Sequence, residues 1–101
     1  MYDGLLMMTS FFAELVHTDN GVTCSDSGFI NLVTEKECFD AVRYAKSFNS
    51  KIEYLGAKSF DSRPSGCFFI LDYGVMYWNP NSRGQGSFSC TSICRGGNTS
   101  F

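Results

Sequence analysis

No lysine or arginine occurs before Lys36 in this 101-residue chain. Asp3, Glu14, Asp19, Asp26 and Glu35 fall in that stretch, so the first 35 residues carry −5. Eight bases against the five remaining acids give the rest +3, for a net charge of −2. Neither part has the dense basic face that tracks nucleic-acid phosphates or holds to anionic lipid by charge. Histidine is nearly missing: His17 is the single one. A Cys–His nucleophile, or a metal site with Cys90 and Cys94, would have to be built on it, whereas a histidine near a helix end is more simply a capping or surface residue. No CxxC pair occurs, and the spacing of the cysteines fits no zinc ribbon or finger, so neither a metal nor another cofactor is expected. Long apolar runs are missing as well. Leu5 to Val16 is too short to span a bilayer, is broken by Glu14, and lacks the basic flank of a secretory signal. Paired carboxylates such as Asp61 and Asp72, with Glu53 nearby, would need a deep cleft that so short a chain does not form, so no catalytic role is expected.

Aromatic side chains and cysteines are what the chain has in quantity. Ten Phe, five Tyr and one Trp predict a core built mainly from rings. The length is one domain's worth. Five cysteines, at positions 24, 38, 67, 90 and 94, are dispersed as in a disulfide framework formed in an oxidising compartment. The other reading is a reduced protein with buried thiols. An odd count leaves one thiol free or joined to another chain.

Along the chain, residues 1–20 read as an apolar helix and linker. Asp3 caps the start, and Leu5, Met8, Phe12, Leu15 and Val16 recur at helical spacing. Leu6, Met7 and Phe11 widen the apolar arc, which leaves three readings open: a helix packed on its own domain, one docked through Leu5, Met8, Phe12 and Leu15 on a partner subunit or at a membrane surface, or the remnant of a signal or appended segment. Residues 21–96 form the domain proper. Phe29 to Val33 reads as a strand, and Thr34 with Glu37 as a capping box opening a helix from Glu35 to about Phe48. Cys38, Ala41, Val42 and Ala45 share the inward face of that helix. Lys51 to Leu55 reads as a strand closed by Gly56, and residues 58–66 as a loop. Residues 66–78 read as a hairpin turning at Asp72-Tyr73-Gly74. Residues 79–87 are a polar loop, Ser92 to Arg95 a last short strand, and residues 97–101 a mobile tail. The order predicts an α+β fold with a small, mostly antiparallel sheet of three to five strands, one helix packed across it, an N-terminal helix in addition, and disulfide staples.

The pattern of Cys24, Ile30, the EKEC run at 35–38, Ala41, the PSGCF run at 64–68, the VMYWN run at 75–79, Gly84 and the ICR run at 93–95 resembles a small cysteine-containing domain that recurs in proteins of dinoflagellate-type microalgae. The resemblance covers about residues 22–96 and implies an extracytoplasmic, non-catalytic module. It uses Cys24, Cys38, Cys67 and Cys94, with Cys90 outside the pattern. Pairing Cys38 with Cys67 would tie the helix to the hairpin, and pairing Cys24 with Cys94 would close the domain's two ends, although sequence alone leaves three pairings open. The functional expectation is a binding or structural module: an accessory subunit docking on a larger protein assembly, such as a thylakoid-lumen or membrane complex of an alga, with membrane association only through that partner. The alternative is an extracellular, lectin-like carbohydrate-binding domain. Its glycan surface would be Tyr77, Trp78, Asn79, Asn81 and Arg83, where an exposed ring beside amides and a guanidinium would suit a sugar or a protein hot spot. Rings that seal the core edges are the plainer reading of Tyr77 and Trp78. Asn98-Thr99-Ser100 is an N-glycosylation triplet, which permits a secretory route.

Overall fold

A computed structural model of the chain describes residues 15–96. The helix expected before Leu15 and the tail 97–101 lie outside the described residues. The elements are strand β1 (Leu15–His17), a 3-10 turn (Ser25–Ser27), β2 (Ile30–Asn31), helices α1 (Glu35–Asp40) and α2 (Val42–Lys46), β3 (Glu53–Ala57), β4 (Gly66–Ile70), β5 (Val75–Asn79) and β6 (Thr91–Arg95). They build one six-stranded sheet in the order β1-β6-β4-β5-β3, with β2 also on β6. Every pairing is antiparallel except β3 with β5. The mostly antiparallel sheet with a helical layer across one face is the expected architecture. Two short strands that both pair with β6 raise the count beyond five.

One of those strands is a correction. Leu15 and Val16, expected to close a helix, and His17 after them form β1, with Val16 opposite Cys94. Three residues of mixed apolar character satisfy either periodicity. Pairing with β6 decides for the strand, because it satisfies backbone groups that β6 would otherwise leave bare. Residues 15–20, assigned to helix and linker, therefore belong to the domain: Thr18 N–H donates to the Ser92 carbonyl at 3.0 Å, and the Thr91 hydroxyl donates to Asn20 Oδ1 at 2.6 Å. Asn31 of β2 also lies opposite Cys94, so β1 and β2 flank that cysteine from the two edges of β6.

Strand β4 organises the interior. All five of its residues are buried, and the sheet's alternation sends them to two different clusters. Cys67 and Phe69 point to the helical side, where they pack with Leu32, Cys38, Ala41, Ala45, Ile52, Met76 and Ile93. Phe68 and Ile70 point to the opposite face, with Cys90 and the partly buried Phe60, Val75 and Tyr77. A continuous apolar run is what a strand covered on both faces requires.

The helical layer forms for local reasons. Glu37 N–H donates to Thr34 Oγ1 at 3.2 Å while Glu37 Oε1 accepts from the Thr34 N–H at 3.3 Å, which completes the expected capping box. The helix bends at Ala41, which separates α1 from α2. Cys38, Ala41 and Ala45 are buried against the sheet and Val42 is half-buried, as their shared face predicts. Strand β3 departs from expectation. It runs on through Gly56, whose φ of 102° accompanies a register shift against β5, so this glycine bends the strand instead of ending it.

The two disulfides pin one layer each. Cys38–Cys67 joins α1 to β4 on the helical face. Cys24–Cys94 joins the segment before the 3-10 turn to β6. Ile93 lies in the helical-side cluster, so by alternation Cys94 points to the other face. The bridges span sequence separations of 29 and 70 residues. Chain-entropy reasoning assigns each roughly 4 kcal/mol, a large share of the 5–15 kcal/mol typical of whole domains. Replacing either pair by serine should lower the unfolding free energy in urea by about that amount. An unchanged denaturation midpoint in either double variant would refute its pairing.

Candidate functional site

The hairpin surface nominated for ligand contact is largely spoken for by packing. Trp78 packs against the helical-side cluster, and Tyr77 packs on the opposite side against Phe60 and Phe68, with ring centroids at 5.1 and 5.8 Å. Both rings are only partly exposed. Asn79 is a clear correction, being 1% exposed. Its Nδ2 lies 3.0, 3.2 and 2.9 Å from the carbonyls of Phe60, Arg63 and Pro64, and its Oδ1 accepts from the N–H groups of Phe60 and Asn81 at 3.0 and 3.1 Å. A buried amide at the end of β5 thus acts as backbone for a loop that has no strand partner of its own. Asn81 and Arg83 remain nearer the surface, where Asn81 Nδ2 donates to Asp61 Oδ1 at 2.7 Å and its Oδ1 accepts from the Arg83 N–H at 2.9 Å. The five residues do not form one platform.

Gly84 belongs to the same loop packing. A side chain there would place its Cβ 2.5 Å from the Arg63 carbonyl oxygen and 2.6 Å from the Ser65 nitrogen. The 79–87 loop is therefore pressed against residues 63–65. It is held by that contact and is not a free recognition loop.

The thiol and histidine are also separated. Cys90 is the free cysteine, buried beside Phe68 and Ile70 on the second face, with the Arg63 guanidinium 3.9 Å from its sulfur. His17 lies on the helical side, edge-on to Phe48 at 4.8 Å and near Tyr44. The sheet stands between them, so they form no nucleophile–base pair, and Cys94 is consumed in a disulfide. No group of three metal-ligating side chains is present among the described residues.

What the fold does leave open is a groove of about 520 Å³ between β1, β2 and the helical layer. Its apolar wall is Leu15, Leu32, Phe39, Ala41 and Val42, and its charged rim is Glu37, Asp40, Arg43 and Arg95. The volume falls in the range of roughly 300–1,000 Å³ common for ligand sites. Glu37 and Arg95 form a half-buried ion pair across the rim. The same Glu37 carboxylate accepts from the Val33 N–H at 2.7 Å, so helix cap and groove wall share one side chain. Phe39 stands 56% exposed and rests edge-on against Tyr54 at 5.5 Å. The Tyr54 hydroxyl donates to Glu35 Oε2 at 2.9 Å, and burial, followed by that bond and the Glu35 charge, raises the phenol pKa above its ordinary value. Of the residues expected to face a partner, Leu15 is placed, on this wall; Leu5, Met8 and Phe12 lie outside the described residues.

The sequence nominates none of Leu32, Phe39 and Arg95 as a site residue, although Arg95 closes the ICR run. The available signal was Phe39, an aromatic residue on the otherwise charged outer side of the helix. No helix among the described residues is long and apolar enough to cross a membrane.

Asn79→Ala should destabilise the domain by at least about 2 kcal/mol in chemical denaturation, because it strands several loop backbone groups. Arg83→Ala should leave stability within about 0.5 kcal/mol. Equal effects of the two substitutions would contradict the roles assigned here. No family model matches the chain, and no curated protein and no solved structure matches it either.

Proposed function

We propose that the chain is a non-catalytic docking module, an accessory subunit that seats an apolar segment of a protein partner in the groove beside Leu15. The observation that carries this reading is the groove itself: Phe39 exposed and Leu15 and Val42 partly exposed above the buried Leu32 and Ala41, with Glu37, Asp40, Arg43 and Arg95 beside them. Occupation by apolar side chains would remove that wall from water and leave the Glu37–Arg95 pair at the edge, where rim charges confer orientation more than affinity. A site of this kind binds; it offers no nucleophile with a base beside it.

The two disulfides suit an oxidising, extracytoplasmic compartment. The resemblance to the algal cysteine-containing domain carries the proposal further, to a lumenal assembly such as a thylakoid complex, with membrane association through the partner. The lectin-like alternative has less support, since Tyr77 and Trp78 are partly buried on opposite faces and Asn79 is committed to the loop.

The test is affinity purification of tagged full-length protein from its native cells after mild cross-linking, read by mass spectrometry. Val42→Asp places a charge on the groove wall and should reduce retention of a stoichiometric partner by about tenfold or more, while Arg83→Ala leaves it intact. Circular dichroism and thermal melting of both proteins establish that the domain still folds. A partner held equally by the two variants would move the binding surface elsewhere, and absence of any stoichiometric partner would remove the proposal.

A further inference from the structure

At the end of the sheet away from β1, strand β3 is bonded to β5 on one side and to no described strand on the other. The Glu53 N–H donates to the Gly74 carbonyl and the Lys58 N–H to the Trp78 carbonyl, each at 2.9 Å, so both residues turn their backbone towards β5. Their separation is odd, which strict alternation forbids, and the slip is taken up at the bulge between Tyr54 and Ala57. Tyr54, next to Glu53, and Ala57, next to Lys58, therefore turn their N–H and C=O groups outward.

We infer that this edge pairs with the same edge of a second copy, antiparallel about a twofold axis. Tyr54 opposite Ala57 of the other copy, and the reverse, is the self-complementary register that uses both outward residues. Bulge then faces bulge, so the spacing of outward groups matches. A regular strand, whose outward groups recur at every second residue, does not match it. The same register sets Glu53 opposite Lys58 of the other copy, twice. Their side chains share the second face of the sheet. Tyr54 packs on the helical side, so Glu53 and Leu55 point away from it by alternation, and Lys58 Nζ lies 5.5 Å from the ring centroid of Phe60, which packs on the second-face cluster. Leu55, 50% exposed, meets its counterpart beside the axis. Charges and bulges ordinarily keep sheet edges from pairing, and here they reject other strands while complementing a second copy. None of residues 53–58 lines the groove, so the inference stands apart from the docking proposal.

So short an edge makes a small interface, and the dimer is sought in full-length oxidised protein by sedimentation velocity across the micromolar to millimolar range. Glu53→Lys and Lys58→Glu should each weaken dimerisation about tenfold, because each sets like charges opposite at two symmetric places. The chain carrying both substitutions restores the pairs and should return to within about threefold of the wild type. A general charge effect would move the two single variants in opposite directions, since one makes the net charge of −2 less negative and the other more so. In a mixture of unlabelled and isotope-labelled protein, a zero-length carbodiimide should join Glu53 of one to Lys58 of the other. Thermal melting of each variant separates loss of pairing from loss of the fold, and the cross-link, which needs no substitution, decides where a variant melts early. A monomer throughout the range, a dimer indifferent to both reversals, a double variant as weak as the single ones, or absence of the mixed cross-link would overturn the inference.

Discussion

Strand β4 has no polar side, and most of the structure answers to that constraint. A five-residue strand with Cys67, Phe68, Phe69 and Ile70 all buried needs a cover on each face, so the chain has to supply two layers. The helical layer is made in the ordinary way, from a capped helix with small residues turned inward. The second layer is not. It is made from Phe60 of the loop before β4 and Cys90 of the segment before β6, with Cys24 bonded to Cys94, and none of these three lies in a strand or a helix.

Irregular chain can seal a hydrophobic face only if its own polar backbone finds partners. Asn79 supplies several of these for residues 60–64, and close backbone approach at Gly84 brings the two loops together. The disulfides follow the same logic, one fastening each cover to the sheet between them. So small a domain gains less from its core than a larger one, and cross-links make up part of the difference.

Features encoded within a few residues were legible in advance. The capping box at Thr34 and Glu37, the hairpin of β4 and β5, and the inward face carrying Cys38, Ala41 and Ala45 all depend on local spacing. What depended on distant partners was not. Leu15 to His17 is a strand only because β6 lies beside it, and the parallel pairing of β3 with β5 has no local signature. Asn79 read as a surface amide because sequence shows polarity but not burial. The groove could not be read at all, since its wall joins Leu15, Leu32 and the outer side of α1. Tyr77 and Trp78 face opposite ways because alternation is a property of the strand itself, and both rings pack against the core.

The register of β1 on β6 places Leu15 directly opposite Arg95. The two flanks of the domain therefore emerge side by side at one pole of the sheet, while the β4–β5 turn at residues 71–74 occupies the other. A unit with adjoining ends can be spliced into a surface loop of a host protein, or circularly permuted by joining the ends and reopening that distal turn, with little disturbance to either. Cargo joined directly at Leu15 or Arg95 would sit at the pole that holds the groove. The opposite pole is the place for a label or an immobilising linker.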